Sequence, residues 1–311
     1  MNNYFPNLVG QDMVKKKLSF YIEAFNKTSQ SPFLLMAGAK GLGKTEFAKA
    51  FGKNLTNQDG SKRTFLELNC STIKNNEAFF EQIFLPLVAD NEITVLFDEC
   101  HALPQDLTMA FLTIFNAEST ARKLFEWEGM AFEFNFKQQT FIFATTETDK
   151  IFPPLKDRFT VVDFEPYSQD ELAEIVQLCL PDIIFSDDEC LQRVASTIRG
   201  NARSAVKRSK EIMLYCGKNG SNFFTSKDFV ELCDQVAILP HGITYTEKQI
   251  LETLNNCGSA TLTGLAAKIG MSKTALQRDH ELYLLNQSLM EIDGKRKITS
   301  RGIELCKELD S

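Results

Sequence analysis

Gly38-Ala39-Lys40-Gly41-Leu42-Gly43-Lys44-Thr45 satisfies the pattern G-x-x-x-x-G-K-[ST] in full. It follows the apolar run 33–37 and opens a helical pattern over 46–55. Glycines let consecutive backbone N–H groups curl around phosphate oxygens, and the helix N-terminus adds the positive end of its dipole. Gly38, Gly41, Leu42 and Gly43 would line such a loop, with Glu46 in the first helical turn. Lys44 would reach the β- and γ-phosphates of ATP, and the Thr45 hydroxyl would ligate Mg²⁺.

About fifty residues downstream comes Ile93-Thr94-Val95-Leu96-Phe97-Asp98-Glu99, an apolar strand running into two carboxylates. Asp98 is suited to hold the Mg²⁺ water shell, and Glu99 to orient or deprotonate an attacking water. Further strand candidates lie at 33–37, 64–69, 140–145 and 160–164. The early ones are separated by stretches long enough for crossover helices, so the expected fold is α/β, a parallel sheet flanked by helices. Runs 123–127 and 130–137 bracket Glu128-Gly129 and read as an inserted β-hairpin.

From Tyr167 the pattern turns to helices only. Ser168-x-x-Glu171 and Ser186-x-x-Glu189 are capping-box signatures, and 201–216 and 226–236 continue the helical run. Leu239-Pro240-His241-Gly242 interrupts it. Beyond lie three helical stretches, 245–255, 262–269 and 272–286, then strands at 289–292 and 297–299 around Asp293-Gly294, the pattern of a winged helix. The expected domains are 1–166, 167–240 and 241–311.

Composition bounds the function classes. The 311 residues are 43% hydrophobic and 24% charged, with a net charge of −7, which argues against a polycation coating nucleic acid through bulk charge. The 26 phenylalanines are spread along the chain as core filling would be. Eight cysteines and three histidines are scattered without zinc-ligand spacing. The start, Met1-Asn2-Asn3-Tyr4-Phe5-Pro6, has no basic n-region or apolar h-region, and no run reaches the roughly 18 apolar residues of a membrane span. These features predict a reduced, cytoplasmic protein without a membrane partner.

Asp98-Glu99-Cys100-His101-Ala102-Leu103 resembles the Walker B stretch of the RuvB family of AAA+ ATPases, which drive branch migration of Holliday junctions. Other segments match in the same order. Leu8-Val9-Gly10-Gln11 is similar to the adenine-pocket segment, and Phe143-Ala144-Thr145-Thr146 to the sensor 1 strand. Pro154-Leu155-Lys156-Asp157-Arg158-Phe159 resembles the arginine-finger turn, and Arg199-Gly200-Asn201-Ala202-Arg203 the start of the sensor 2 helix. The resemblance implies that Leu8, Val9 and Tyr167 border the adenine. It implies Thr146 as sensor 1, Arg158 as a finger into a neighbour's ATP, and Arg203 as a contact from the chain's own lid. It further implies a ring, expected to be a hexamer. The chain departs from the family in carrying Ala39-Lys40 where two prolines are usual, which leaves the backbone amides able to bind phosphate.

In the family the hairpin, here residues 123–137, reaches the partner RuvA. Here Phe125, Trp127, Met130, Phe132, Phe134 and Phe136 alternate around the turn. That face either packs on the sheet or, at Trp127 and Met130, offers a docking patch. From Tyr245 onward the chain has nine Lys/Arg and nine Asp/Glu, so the acidity resides upstream. Lys295, Arg296, Lys297 and Arg301 cluster at the wing and suit contacts to DNA phosphates, although Ile292 stands where the family has a wing arginine. Lys273, Gln277 and Arg278 read as DNA contacts or as a solvated helix face. The leading expectation is an ATP-driven duplex-DNA translocase. Two readings stay open beside it: a clamp-loader-like or protein-remodelling ATPase, and a nucleotide-switched winged-helix regulator.

Overall fold

The computed structural model describes residues 3–116 and 121–309, so Met1 and Asn2 of the stretch read for a leader lie outside the described residues. Five strands form a wholly parallel sheet: β1 (Leu34–Ala37), β2 (Thr64–Asn69), β3 (Ile93–Asp98), β6 (Gln139–Thr145) and β7 (Thr160–Asp163), in the order β2-β3-β6-β1-β7. β4 (Arg122–Trp127) and β5 (Met130–Asn135) pair separately as the antiparallel hairpin. The central strands β1, β3 and β6 are buried almost throughout, which is why they read as continuous apolar runs rather than alternating ones.

The chain divides into two compact units. One comprises residues 1–171 with 200–203, the other 172–199 with 204–311. Phenylalanines dominate the core of the first. Phe79, Phe80, Phe84, Phe97, Phe111, Phe115, Phe134, Phe141 and Phe143 are essentially inaccessible, and Phe97 and Phe143 stack with centroids 5.0 Å apart. The hairpin is part of this core, since Phe80 meets Phe125, Trp127 and Phe132 at 5.4, 5.7 and 4.6 Å. Trp127 is therefore half-buried against Phe80, whereas Met130 and, on the opposite face, Leu124 remain exposed.

One helix of this unit, near the N-terminus, was not expected, and another fills the stretch between β2 and β3, where a crossover helix was. Helix α1 (Asp12–Thr28) buries Val14, Leu18, Ile22 and Phe25 at helical spacing. Asn76–Phe79 continues into a π-type turn over Phe80–Val88 that contains Pro86. Between α1 and the sheet lies Arg63, 5% exposed, with its guanidinium 4.9 Å from the Phe25 ring and donating to the carbonyls of Ile93 and Gln138. Burial lowers its pKa to about 10. Arg63→Ala would remove its bonds to those carbonyls and open a gap beside the Phe25 ring. It is expected to cost about 2–4 kcal/mol, read as a lowered urea midpoint at unchanged slope.

In the second unit the helical reading largely stands, with two corrections. Ile184–Phe185 and Phe223–Phe224 form a short parallel pair, too brief to show a period. The helix Asp188–Ala195 is capped by Asp187, whose carboxylate accepts from Cys190 N at 2.7 Å. Ser186 instead donates to that carboxylate. At the end of the first unit the box at Ser168 is present, with Glu171 N donating to Ser168 Oγ and Ser168 N to Glu171 Oε2. Residues 243–306 carry their own apolar core, including Ile250, Leu254, Leu265, Leu284 and Leu305. The strands expected to form a wing are Met290–Asp293 and Lys295–Ile298, paired antiparallel and joined by a third, Ser259–Ala260.

Candidate nucleotide site

Every strand of a parallel sheet delivers its C-terminal end to the same edge, and ligands bind there. β1 runs into the glycine-rich loop, β3 into Asp98-Glu99, and β6 into Thr145-Thr146. The loop is shaped by glycines at positive φ, +152° at Gly38, +83° at Gly41 and +92° at Gly43. A Cβ at Gly38 would lie 2.9 Å from the Phe164 carbonyl, and one at Gly41 2.7 Å from Asn201 Oδ1. The space is a cradle that side chains would fill.

Lys44 opens helix α2 (Lys44–Lys53) and donates to the carbonyls of Gly38 and Ala39 at 2.8 and 2.9 Å. Burial lowers its pKa, opposed by Glu99 and Asp98 and assisted by Arg203. Thr45 Oγ1 donates to Asp98 Oδ2 at 3.0 Å, so a hydroxyl from helix α2 and a carboxylate from the end of β3 meet at one point. Two hard oxygen donors beside a phosphate cradle fit a Mg²⁺–nucleotide. Glu46 faces outward in an ion pair with Lys49 and is not drawn into the cradle.

Glu99 has φ +54°, a left-handed conformation that a residue with a Cβ adopts only when its surroundings hold it there. Its Oε2 accepts from Thr146 Oγ1 at 3.2 Å. His101 stands 3.4 Å from the same oxygen and hydrogen-bonds Thr145 Oγ1 at 3.0 Å. His101 and Thr145 were missed as site residues. The only signal for them in sequence is adjacency to Glu99 and Thr146, because the bond depends on β3 pairing with β6.

Tyr167 lies on the other side of the loop and donates to the Leu42 carbonyl at 3.0 Å, its pKa pushed up to about 12 by burial. Its backbone N–H donates to Gly200, and Arg203 N donates to Gly41 O at 3.3 Å. The 200–203 segment thus belongs to the phosphate-loop unit, with the Arg203 side chain exposed. Val9 is buried and Leu8 half-buried, on a segment anchored by Gln11, which exchanges hydrogen bonds with the Glu165 backbone. Arg158 does not join this group. Its Nη1 donates to the Pro154 carbonyl, and it lines a cavity of about 510 Å³ with Phe20, Tyr21 and Lys137.

At the wing, Lys295 and Arg301 are exposed, and Lys297 pairs with Asp293 at 3.0 Å. Arg296 corrects the expectation of a free cation. Its guanidinium makes two bonds to Glu281, at 3.1 and 3.0 Å, and both side chains are largely buried.

Residues 34–167 match the family described as ATPase family associated with various cellular activities (AAA). The Holliday junction branch migration complex subunit RuvB of Bdellovibrio bacteriovorus is 23% identical over 296 residues, covering 92% of this chain and 87% of that protein. The Kosmotoga olearia counterpart is 26% identical over 303 residues, covering 94% and 85%. Among solved structures, the Thermotoga maritima RuvB Holliday junction branch migration motor superposes with a TM-score of 0.74 at 21% identity, over 98% of this chain and 99% of that one. A mutant of the same protein gives 0.76 over the same shares. A phosphate cradle, an Asp-Glu strand end and a polar strand end beside it thus lie in a chain whose residues 34–167 match the AAA ATPase family and which is similar to RuvB proteins over nearly its whole length.

Proposed function

We propose that this ATPase assembles into a ring, a hexamer, that translocates duplex DNA and drives branch migration of Holliday junctions. The supporting observation is that Lys44, Thr45, Asp98 and Glu99 gather at a phosphate cradle in a chain aligning with RuvB proteins through its C-terminal segment as well as its AAA domain. In this reading 167–240 is a lid and 241–311 a winged helix.

ATP lies in the cradle, with Leu8, Val9 and Tyr167 toward the adenine and Lys44 on the β- and γ-phosphates. Thr45 and Asp98 would hold Mg²⁺, which when bound neutralises phosphate charge. Glu99, fixed by Thr146 and His101, orients the attacking water and draws off its proton. Arg203 meets the phosphates from the same chain, and Arg158 is supplied by a neighbouring subunit. Lys295, Lys297 and Arg301 take DNA phosphates, while Arg296 fixes the wing that presents them. Leu124 and Met130 on the hairpin are the exposed apolar residues for a RuvA-like partner. Eight free thiols suit the cytoplasm. Among the described residues no helix is long and apolar enough to cross a membrane.

The test is ATPase activity with no DNA, linear duplex and a four-way junction. Stimulation by DNA and conversion of the junction are expected. ATPase indifferent to DNA, together with no DNA binding at low salt, would refute the motor. Replacing Lys295 and Arg301 together by alanine is expected to flatten the dependence of log affinity on log salt by about 2. Titration by fluorescence anisotropy at several salt concentrations reads that slope.

A further inference from the structure

The second unit contains a connected set of polar side chains, built on the buried carboxylates Glu247 and Glu281, that the hydrolysis site does not use. Glu247, near the N-terminus of the helix Tyr245–Cys257, is fully buried. Its Oε2 accepts from Thr244 N at 2.7 Å and from Arg199, and its Oε1 faces His280 Nδ1 at 3.1 Å. Arg199 also donates from Nε to the Gly242 carbonyl at 2.8 Å, and its guanidinium lies 4.0 Å from the Tyr283 ring. Tyr283 in turn donates its hydroxyl to the His241 carbonyl. His280 is followed directly by Glu281, which holds Arg296 of the wing strand Lys295–Ile298. Gly242 has φ +64°, and a Cβ there would lie 2.4 Å from the Thr197 carbonyl, so the backbones on either side of Arg199's bond are pressed together.

Arg199 is also the residue immediately before 200–203, the segment whose backbone bonds Tyr167 and Gly41. One end of the polar set is therefore covalently continuous with the phosphate-loop unit, and the other end fixes the wing. Burying a carboxylate yields little net stability, because desolvation offsets most of its attraction to partners, whereas removing one partner is costly. What such a set does supply is a fixed geometry.

We propose that Arg199, Glu247, His280, Glu281 and Arg296 act as a positioning network through which nucleotide at the cradle and duplex at the wing bias one another's binding. Arg199 is the positioning residue for the 200–203 segment, and Arg296 for the wing cations. The proposal rests on the motor reading above. Spatial connection alone does not establish coupling; a measured interdependence of the two affinities does.

The experiment uses the full-length protein, a fluorescein-labelled linear duplex and a non-hydrolysable ATP analogue. The analogue is expected to change duplex affinity about tenfold, and duplex to change analogue affinity by the same factor, as reciprocity demands. In Glu247→Gln that factor is expected to fall to within twofold of 1, while basal ATPase and nucleotide-free duplex affinity stay within about twofold of the parent. Arg199→Lys, which keeps the charge but loses the fork and the ring contact, is expected to reduce the factor similarly. It gives the same reading should Glu247→Gln not fold. An undiminished factor in a folded variant overturns the network, as does a factor of 1 in a parent with DNA-stimulated ATPase. A parent with neither DNA binding nor DNA stimulation overturns the motor reading instead.

Discussion

Glu99→Gln is expected to lower ATP turnover by about 10²–10⁴-fold while leaving nucleotide affinity within a few-fold of the parent. The carboxylate accepts from Thr146 Oγ1 at 3.2 Å and stands 3.4 Å from His101. An amide fits the same space but cannot take a proton from water. The groups that grip nucleotide are elsewhere: Lys44 at the loop, and Thr45 with Asp98 at 3.0 Å. Binding and chemistry therefore separate at this residue. Asp98→Asn should behave differently, weakening the Mg²⁺–nucleotide complex itself. A fluorescent-nucleotide titration beside single-turnover hydrolysis makes the distinction. Turnover within tenfold of the parent would remove Glu99 from the chemistry.

The parts of this site that could be read from sequence are those carried by local pattern. β3 begins and ends where the run 93–98 does, because a strand buried on both faces is apolar nearly throughout and stops at its first carboxylate. The cradle needs glycine at fixed offsets, so its residues declare themselves. Arg296 shows the limit. As a cation beside two lysines it looks free, and only the fold brings Glu281 to within 3.0 Å of it. His101 is similar, since its bond to Thr145 joins the turn after β3 to the end of β6, 44 residues apart. Between β2 and β3 the length of the stretch announces a crossover helix, but not that it passes Pro86 as a π-type turn. Trp127 was read as an open tip because Phe80, its cover, comes from a distant helix.

Arg158→Ala is expected to reduce turnover by about 10³–10⁵-fold, the usual contribution of an arginine that meets the developing charge on a transferring phosphoryl group. The structure carries an apparent contradiction: among the described residues, the groups that gather at the cradle are Lys44, Thr45, Asp98, Glu99, Thr146 and His101, without Arg158. Arg158 follows the short helix Pro153–Lys156 and bonds the Pro154 carbonyl instead. A large loss from a residue outside its own site requires that it act in another subunit's site. Mixing two inactive variants tests this directly. Arg158→Ala keeps a complete cradle, and Lys44→Ala keeps Arg158, so a mixed ring contains junctions where an intact cradle faces an intact finger. Activity should return on mixing, peak near equal proportions and vanish on dilution below the assembly concentration. Two outcomes count against the trans site: turnover surviving in Arg158→Ala, and mixtures that stay inactive although both proteins assemble together.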